Sequence, residues 1–204
     1  MIETLTRPHE VPPTSDVRRE NMRDIMLWRF REAISWLGEC KDLVDQGGCS
    51  SKSTDLLEEE FWQTINLSGF PGTPIPAFKS LQYYHSFKEA ASILSQYGEA
   101  SSTFDQDLNR IAREASSYEQ AIALWSPRRL SGKTKNGYLG MFPQGSITGD
   151  RVFIIKGVPT PVVLRPISGD VYRFVGESYV HGFMKGEVFS MHDYKELWKD
   201  VLLQ

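Results

Sequence analysis

Residues 128–189 read RRLSGKTKNGYLGMFPQGSITGDRVFIIKGVPTPVVLRPISGDVYRFVGESYVHGFMKGEVF. In this stretch glycines and β-branched residues recur at short intervals. YLGMF (138–142), RVFIIK (151–156), PVVLRPI (161–167) and VYRFVGESYV (171–180) have the composition of strands. Gly149-Asp150, Gly157 to Pro159 and Ser168-Gly169-Asp170 are turn chemistry between them. EVFSM (187–191) is expected as a short closing strand. Four or five short strands in so little chain predict a small, strongly curved antiparallel sheet or barrel over residues 127–192.

On the N-terminal side the pattern is helical. Residues 1–15 hold Pro8, Pro12 and Pro13 without periodicity and read as an extended leader. Over residues 16–126 the spacing predicts about four helices. The first, capped by Ser15 or Asp16, carries Met22, Ile25, Met26, Phe30, Ala33, Ile34, Leu37, Leu43 and Val44 near i, i+3, i+4 spacing, and Gly47-Gly48 stop it. A second, about 55–66, carries Leu57, Phe61, Trp62 and Ile65, with Glu58, Glu59 and Glu60 toward the positive end of its dipole. LSGFPGTPIP (67–76) is a loop, and further helices are expected over 77–97 and 103–125, the last ended by Pro127. Beyond the sheet, HDYKELWKDVLL predicts an amphipathic C-terminal helix over 193–204. The fold class expected is α+β: a helical N-terminal region, a small antiparallel β-barrel and a C-terminal helix.

Charge follows the same division. Residues 1–126 carry 12 basic and 19 acidic side chains, a net of −7, and residues 127–204 carry 11 and 7, a net of +4. Such a split suits two parts that attract each other or do different work. There is no run of five like charges, which argues against nucleic-acid binding as the main role. No apolar run approaches the roughly 20 residues that span a bilayer. MIETLTRPHEVPPTSDVRRE (1–20) lacks the apolar core of a signal peptide, and two cysteines, Cys40 and Cys49, suit a reducing compartment. A cytoplasmic protein is expected.

Few motifs carry chemistry. Ser131-Gly132-Lys133-Thr134 lacks the leading glycine of a phosphate-binding loop, because position 127 is proline; it reads as a polar loop. His9, His85, His181 and His192 show no zinc-like spacing, and no G-x-S-x-G elbow occurs. No metal or cofactor is expected. Glu58, Glu59 and Glu60 diverge around a helix and read as a solvated face, and Trp28, Trp36, Trp62 and Trp125 read as core. The densest polar cluster is Gly176-Glu177-Ser178-Tyr179-Val180-His181-Gly182. On a strand Glu177, Tyr179 and His181 share one face, an arrangement suited to a hydrogen-bonded network or proton transfer. The structural alternative pairs Glu177 with Arg165 or Arg173.

The quoted segment resembles the C-terminal region of fungal heterokaryon-incompatibility proteins that carry a HET domain. The matching elements are Arg129, Gly137-Tyr138-Leu139-Gly140, Pro143, Gly149-Asp150, the apolar strand 152–155, Val163-Leu164-Arg165, and Val175-Gly176-Glu177-x-Tyr179-Val180-His181-Gly182-x-Met184-x-Gly186-Glu187. FWQTI (61–65) resembles the helix before it. In that family the HET domain, related in fold to the TIR domain and tied to cell death after non-self fusion, lies N-terminal to this region. Residues 1–55 do not look like it, so none of its activity is carried onto a residue here. The resemblance, the charge split and the lack of a credible catalytic constellation together lead to the expectation of a non-enzymatic interaction or regulatory role with a protein partner. Arg165, Glu177, Tyr179 and His181 are the candidate ligand- or partner-binding residues. A small-ligand-binding or enzymatic barrel using the same cluster is the rival reading.

Overall fold

The computed structural model describes residues 1–7, 22–45, 54–67, 82–90, 92, 115, 118, 122, 124, 126–192 and 194–204. The elements are β1 (Ile2–Leu5), α1 (Met22–Asp45), α2 (Thr54–Ile65), β2 (Arg129–Thr134), β3 (Leu139–Pro143), β4 (Arg151–Phe153), β5 (Val162–Ser168), β6 (Val171–Glu177), β7 (Tyr179–Val180) and β8 (Leu202–Leu203). Residues 82–90 are also helical. The α+β class holds, but the expected count of about four helices is not matched: the helix expected over 103–125 falls mostly outside the described residues.

The strands form two four-stranded sheets, in the orders β1-β2-β3-β7 and β4-β5-β6-β8, rather than one closed barrel. The sheets nevertheless meet at both sides. Ser178 N–H still donates to Pro161 O at 2.8 Å beside the second sheet, while Tyr179 pairs with Met141 in the first, so the chain passes from one sheet to the other between β6 and β7. At the other side Ile2 N–H donates to Asp150 O (2.7 Å) and Gly149 N–H to Ile2 O (3.1 Å), joining β1 to the start of β4. Residues 2–5, expected in a leader, are therefore extended because they are paired, antiparallel to β2.

Ser131 to Thr134, expected as a polar loop, is the body of β2. Ser131, Lys133 and Thr134 are buried because β1 and β3 flank the strand on both sides. Gly132 lies opposite Gly140 across β2 and β3. A Cβ on either would press into the Phe142 ring, and on Gly132 also into the Thr4 carbonyl oxygen. The glycine pair thus makes room for a wholly buried phenylalanine, whose burial is worth about 2 kcal/mol.

Alternation along β3 and β7 then assigns two cores. Phe142 and Val180 join Ile2 and Val163 between the sheets. Met141 and Tyr179 point the other way and pack with Ala33, Trp36, Leu37 and Cys40 of α1, Phe61, Trp62 and Ile65 of α2, and Tyr84, Phe87 and Tyr118. Trp36 and Trp62 are core as expected, and the side chains of Trp28 and Trp125 lie outside the described residues. Glu58 is solvated but also paired: its carboxylate accepts from Lys88 Nζ at 2.5 Å and from the Tyr84 hydroxyl at 3.3 Å, tying α2 to residues 82–90.

The C-terminal end differs most from expectation. Glu187–Ser190 is a 3-10 turn and not a strand, because Gly186 (φ 81°) reverses the chain just before it. The helix expected over 193–204 is reduced to a 3-10 turn at Tyr194–Leu197, after which Leu202–Leu203 runs parallel to β6. A dozen residues make a marginal helix alone. Here the edge of β6 offers backbone partners instead: Leu202 N–H donates to Asp170 O (3.0 Å) and Gln204 N–H to Tyr172 O (2.9 Å). Lys199 reinforces the docking through Asp170 Oδ1 (2.8 Å) and the Tyr172 hydroxyl (3.1 Å).

Candidate functional site

The four candidate residues do not converge on one point. Tyr179 is 2% exposed, its ring among the helices, and its hydroxyl lies 3.4 Å from His181 Nδ1. These two are brought together, as the period-2 spacing requires. Burial, with a smaller contribution from Glu187, pushes the Tyr179 phenol well above its usual value, so it is a neutral hydroxyl across the physiological range. His181 is half-buried, and its backbone N–H donates to Leu139 O at 2.9 Å.

Glu177 sits at the end of β6, before the change of sheet, and its side chain is exposed. Arg165 and Arg173 face each other across β5 and β6, and neither takes Glu177 as partner. Arg129 approaches Glu177 instead: its Nη1 donates to the Glu177 carbonyl at 3.0 Å. Burial lowers the Arg129 value and the Glu177 charge opposes that shift. Glu177, Arg128 and Arg129 line a shallow hollow of about 390 Å³.

Arg165 is engaged elsewhere. It binds Asp150 through Nε to Oδ1 and Nη2 to Oδ2, both 2.9 Å, and Nη2 also donates to Gly145 O at 2.7 Å. Asp150 is 1% exposed and accepts the Ile147 N–H as well, at 3.0 Å. The hydrogen bonds and charge of Asp150 raise the Arg165 value further. Sequence reading found Gly149-Asp150 as a turn but missed this partnership. The two residues are 15 positions apart, and nothing local marks them as a pair.

Among the described residues no group of three His, Cys, Asp or Glu side chains is placed to hold a metal ion, and no helix is long and apolar enough to cross a membrane. What the site does chemically is connect. Asp150 links β1, Arg165 and the 144–149 loop; Tyr179 links the sheet to the helices; Glu177 and Arg129 link the two sheets.

A two-sheet β domain flanked by helices, with its polar motif built into the junction between sheets, is the class that this geometry defines. The chain belongs to the Het-6 β-barrel domain family, whose model matches residues 79–199. It is also 41% identical over 68 residues to heterokaryon incompatibility protein 6, OR allele, of Neurospora crassa. That match covers 30% of this chain and 10% of the Neurospora protein. No solved structure matches the chain. The resemblance read from residues 128–189 is thereby shown.

Proposed function

We propose that this chain is a non-catalytic interaction or regulatory region of heterokaryon-incompatibility type, acting in non-self recognition through a protein partner. The observation that carries the reading is the 41% identity to a Neurospora protein named for heterokaryon incompatibility. The engagement of Arg165 by Asp150 and of Tyr179 by the helical core supports it, since both side chains are committed to holding the fold. Glu177 is exposed and His181, like Arg165, is partly exposed; with the Arg165 guanidinium committed to Asp150, Glu177 and His181 are the residues offered to the partner. Arg165 and Tyr179 position them.

The test is affinity capture on the immobilised chain from fungal extract, titrated against free chain. A protein whose capture saturates and is competed away supports the reading. The reading is overturned if no partner is captured saturably from either compatible or incompatible strains.

A further inference from the structure

We propose that the hollow between residues 154–161 and 183–189 is a binding site for a small organic anion with a flat aromatic body. The hollow has a volume of about 870 Å³, within the ~300–1,000 Å³ usual for small-molecule sites. It shares no residue with the Arg165, Glu177, Tyr179 and His181 cluster, so the inference stands apart from the partner reading above.

Three observations point to this ligand. The first is charge. Among the described residues, Lys156 and Lys185 are the charged ones that line the hollow, and no carboxylate is found in its lining. Each lysine precedes a glycine with left-handed backbone, Gly157 (φ 86°) and Gly186 (φ 81°), so both are displayed on tight turns. Both are exposed, and neither ammonium has an ion-pair partner among the described residues. A cationic, concave surface favours an anion.

The second is the apolar wall. Phe183, Phe189, Tyr194 and Trp198 line the hollow, and Phe189 and Trp198 remain 56% and 43% exposed. The Phe189 and Tyr194 rings meet edge to face, with centroids 5.7 Å apart. Aromatic rings left open to water beside two ammonium groups suit a flat body that carries its charge at one end.

The third is Thr160. It lines the same hollow, is only 2% exposed, and its hydroxyl has no hydrogen-bond partner among the described residues. Buried hydroxyls are ordinarily satisfied, and this one is left unpaired in the wall of the hollow. An acidic peptide would answer the charge and the aromatic wall, but a hollow of this volume with a buried hydroxyl favours the smaller occupant.

The 204-residue chain, labelled with nitrogen-15, is titrated with 8-anilinonaphthalene-1-sulfonate and, in parallel, with N-phenyl-1-naphthylamine, which has the same rings and no charge. Saturable one-to-one binding of the sulfonate is expected, with the largest amide shifts at Lys156, Gly157, Thr160, Lys185 and Gly186. The uncharged probe should bind at least tenfold more weakly. The double variant K156E/K185E, altered only at exposed side chains, should lose at least tenfold in sulfonate affinity while keeping the affinity of the uncharged probe within twofold. K156A and K185A should each lose about threefold. The proposal is overturned by shifts centred elsewhere, by equal affinity for the two probes, or by a double variant that binds as the parent does. It is overturned equally if an acidic hexapeptide saturates the hollow and the sulfonate does not.

Discussion

Arg165 holds Asp150 by two parallel hydrogen bonds of 2.9 Å, and the two partners differ sharply in exposure: the Arg165 side chain is 30% exposed and that of Asp150 1%. The backbone carbonyl of Asp150 also receives the Ile2 N–H that joins β1 to the second sheet. Removing the arginine strands a buried carboxylate, whereas neutralising the aspartate leaves an arginine that still reaches water. Arg165→Met should therefore cost about 3 kcal/mol, and Asp150→Asn clearly less. The double variant should recover part of the Arg165→Met loss. Urea unfolding of the four proteins measures this cycle.

Glycine positions give a contrast of sign. A Cβ at Gly140 would stand 2.7 Å from the Tyr179 carbonyl oxygen and 2.7 Å from Phe142 Cζ, where sheet backbone cannot yield. Gly140→Ala should destabilise by about 2 kcal/mol. At Gly38, exposed in the middle of α1, an added methyl would meet nothing within 4 Å. Gly38→Ala should stabilise by about 1 kcal/mol through helix propensity alone. Thermal unfolding of both variants beside the parent tests the pair.

The docking of the tail should respond to pH at both extremes. The hydrogen bond and then the charge of Lys199 hold the Asp170 carboxyl below its usual value, and the bonds to Asp170 and Tyr172 raise Lys199. A depressed carboxylate contributes its full stabilisation above the ordinary carboxylate range and loses it as pH falls through the depressed value. A raised lysine contributes fully below its ordinary value and loses that contribution as pH rises through the raised one. The tail should be best protected across the neutral range. Hydrogen exchange checks this: Lys199→Ala should lower the protection of the Leu202 and Gln204 amides at least tenfold and leave that of the β5 residue Val163 unchanged.

Strands β3 to β7 were legible because their β-branched and aromatic runs fall between clear turns. Phe142 and Val180 on one face, with Met141 and Tyr179 on the other, follow the two-residue period. Besides the turn at Glu187–Ser190, three things were not legible. Ser131 to Thr134 looks like a loop because its polar side chains are buried only by strands distant in sequence, Ile2–Leu5 and Leu139–Pro143. Ile2–Leu5 looks like a leader because its partner lies about 130 residues away. The tail has helical spacing, yet the open edge of β6 outweighs that weak local preference. Of the candidate site, the adjacency of Tyr179 and His181 was legible, and the partners of Arg165 and Glu177 were not. Spacing put Tyr179 beside His181, while Arg129 at Glu177 and Asp150 at Arg165 are long-range choices made by the fold.

The measurement that tests the proposed role most directly is partner affinity in the variant Glu177→Ala/His181→Ala, with its melting temperature recorded alongside. Retained stability with at least a tenfold loss of affinity for the captured partner is the predicted result. Unchanged affinity in a folded variant would contradict the assignment of these two side chains to the partner surface.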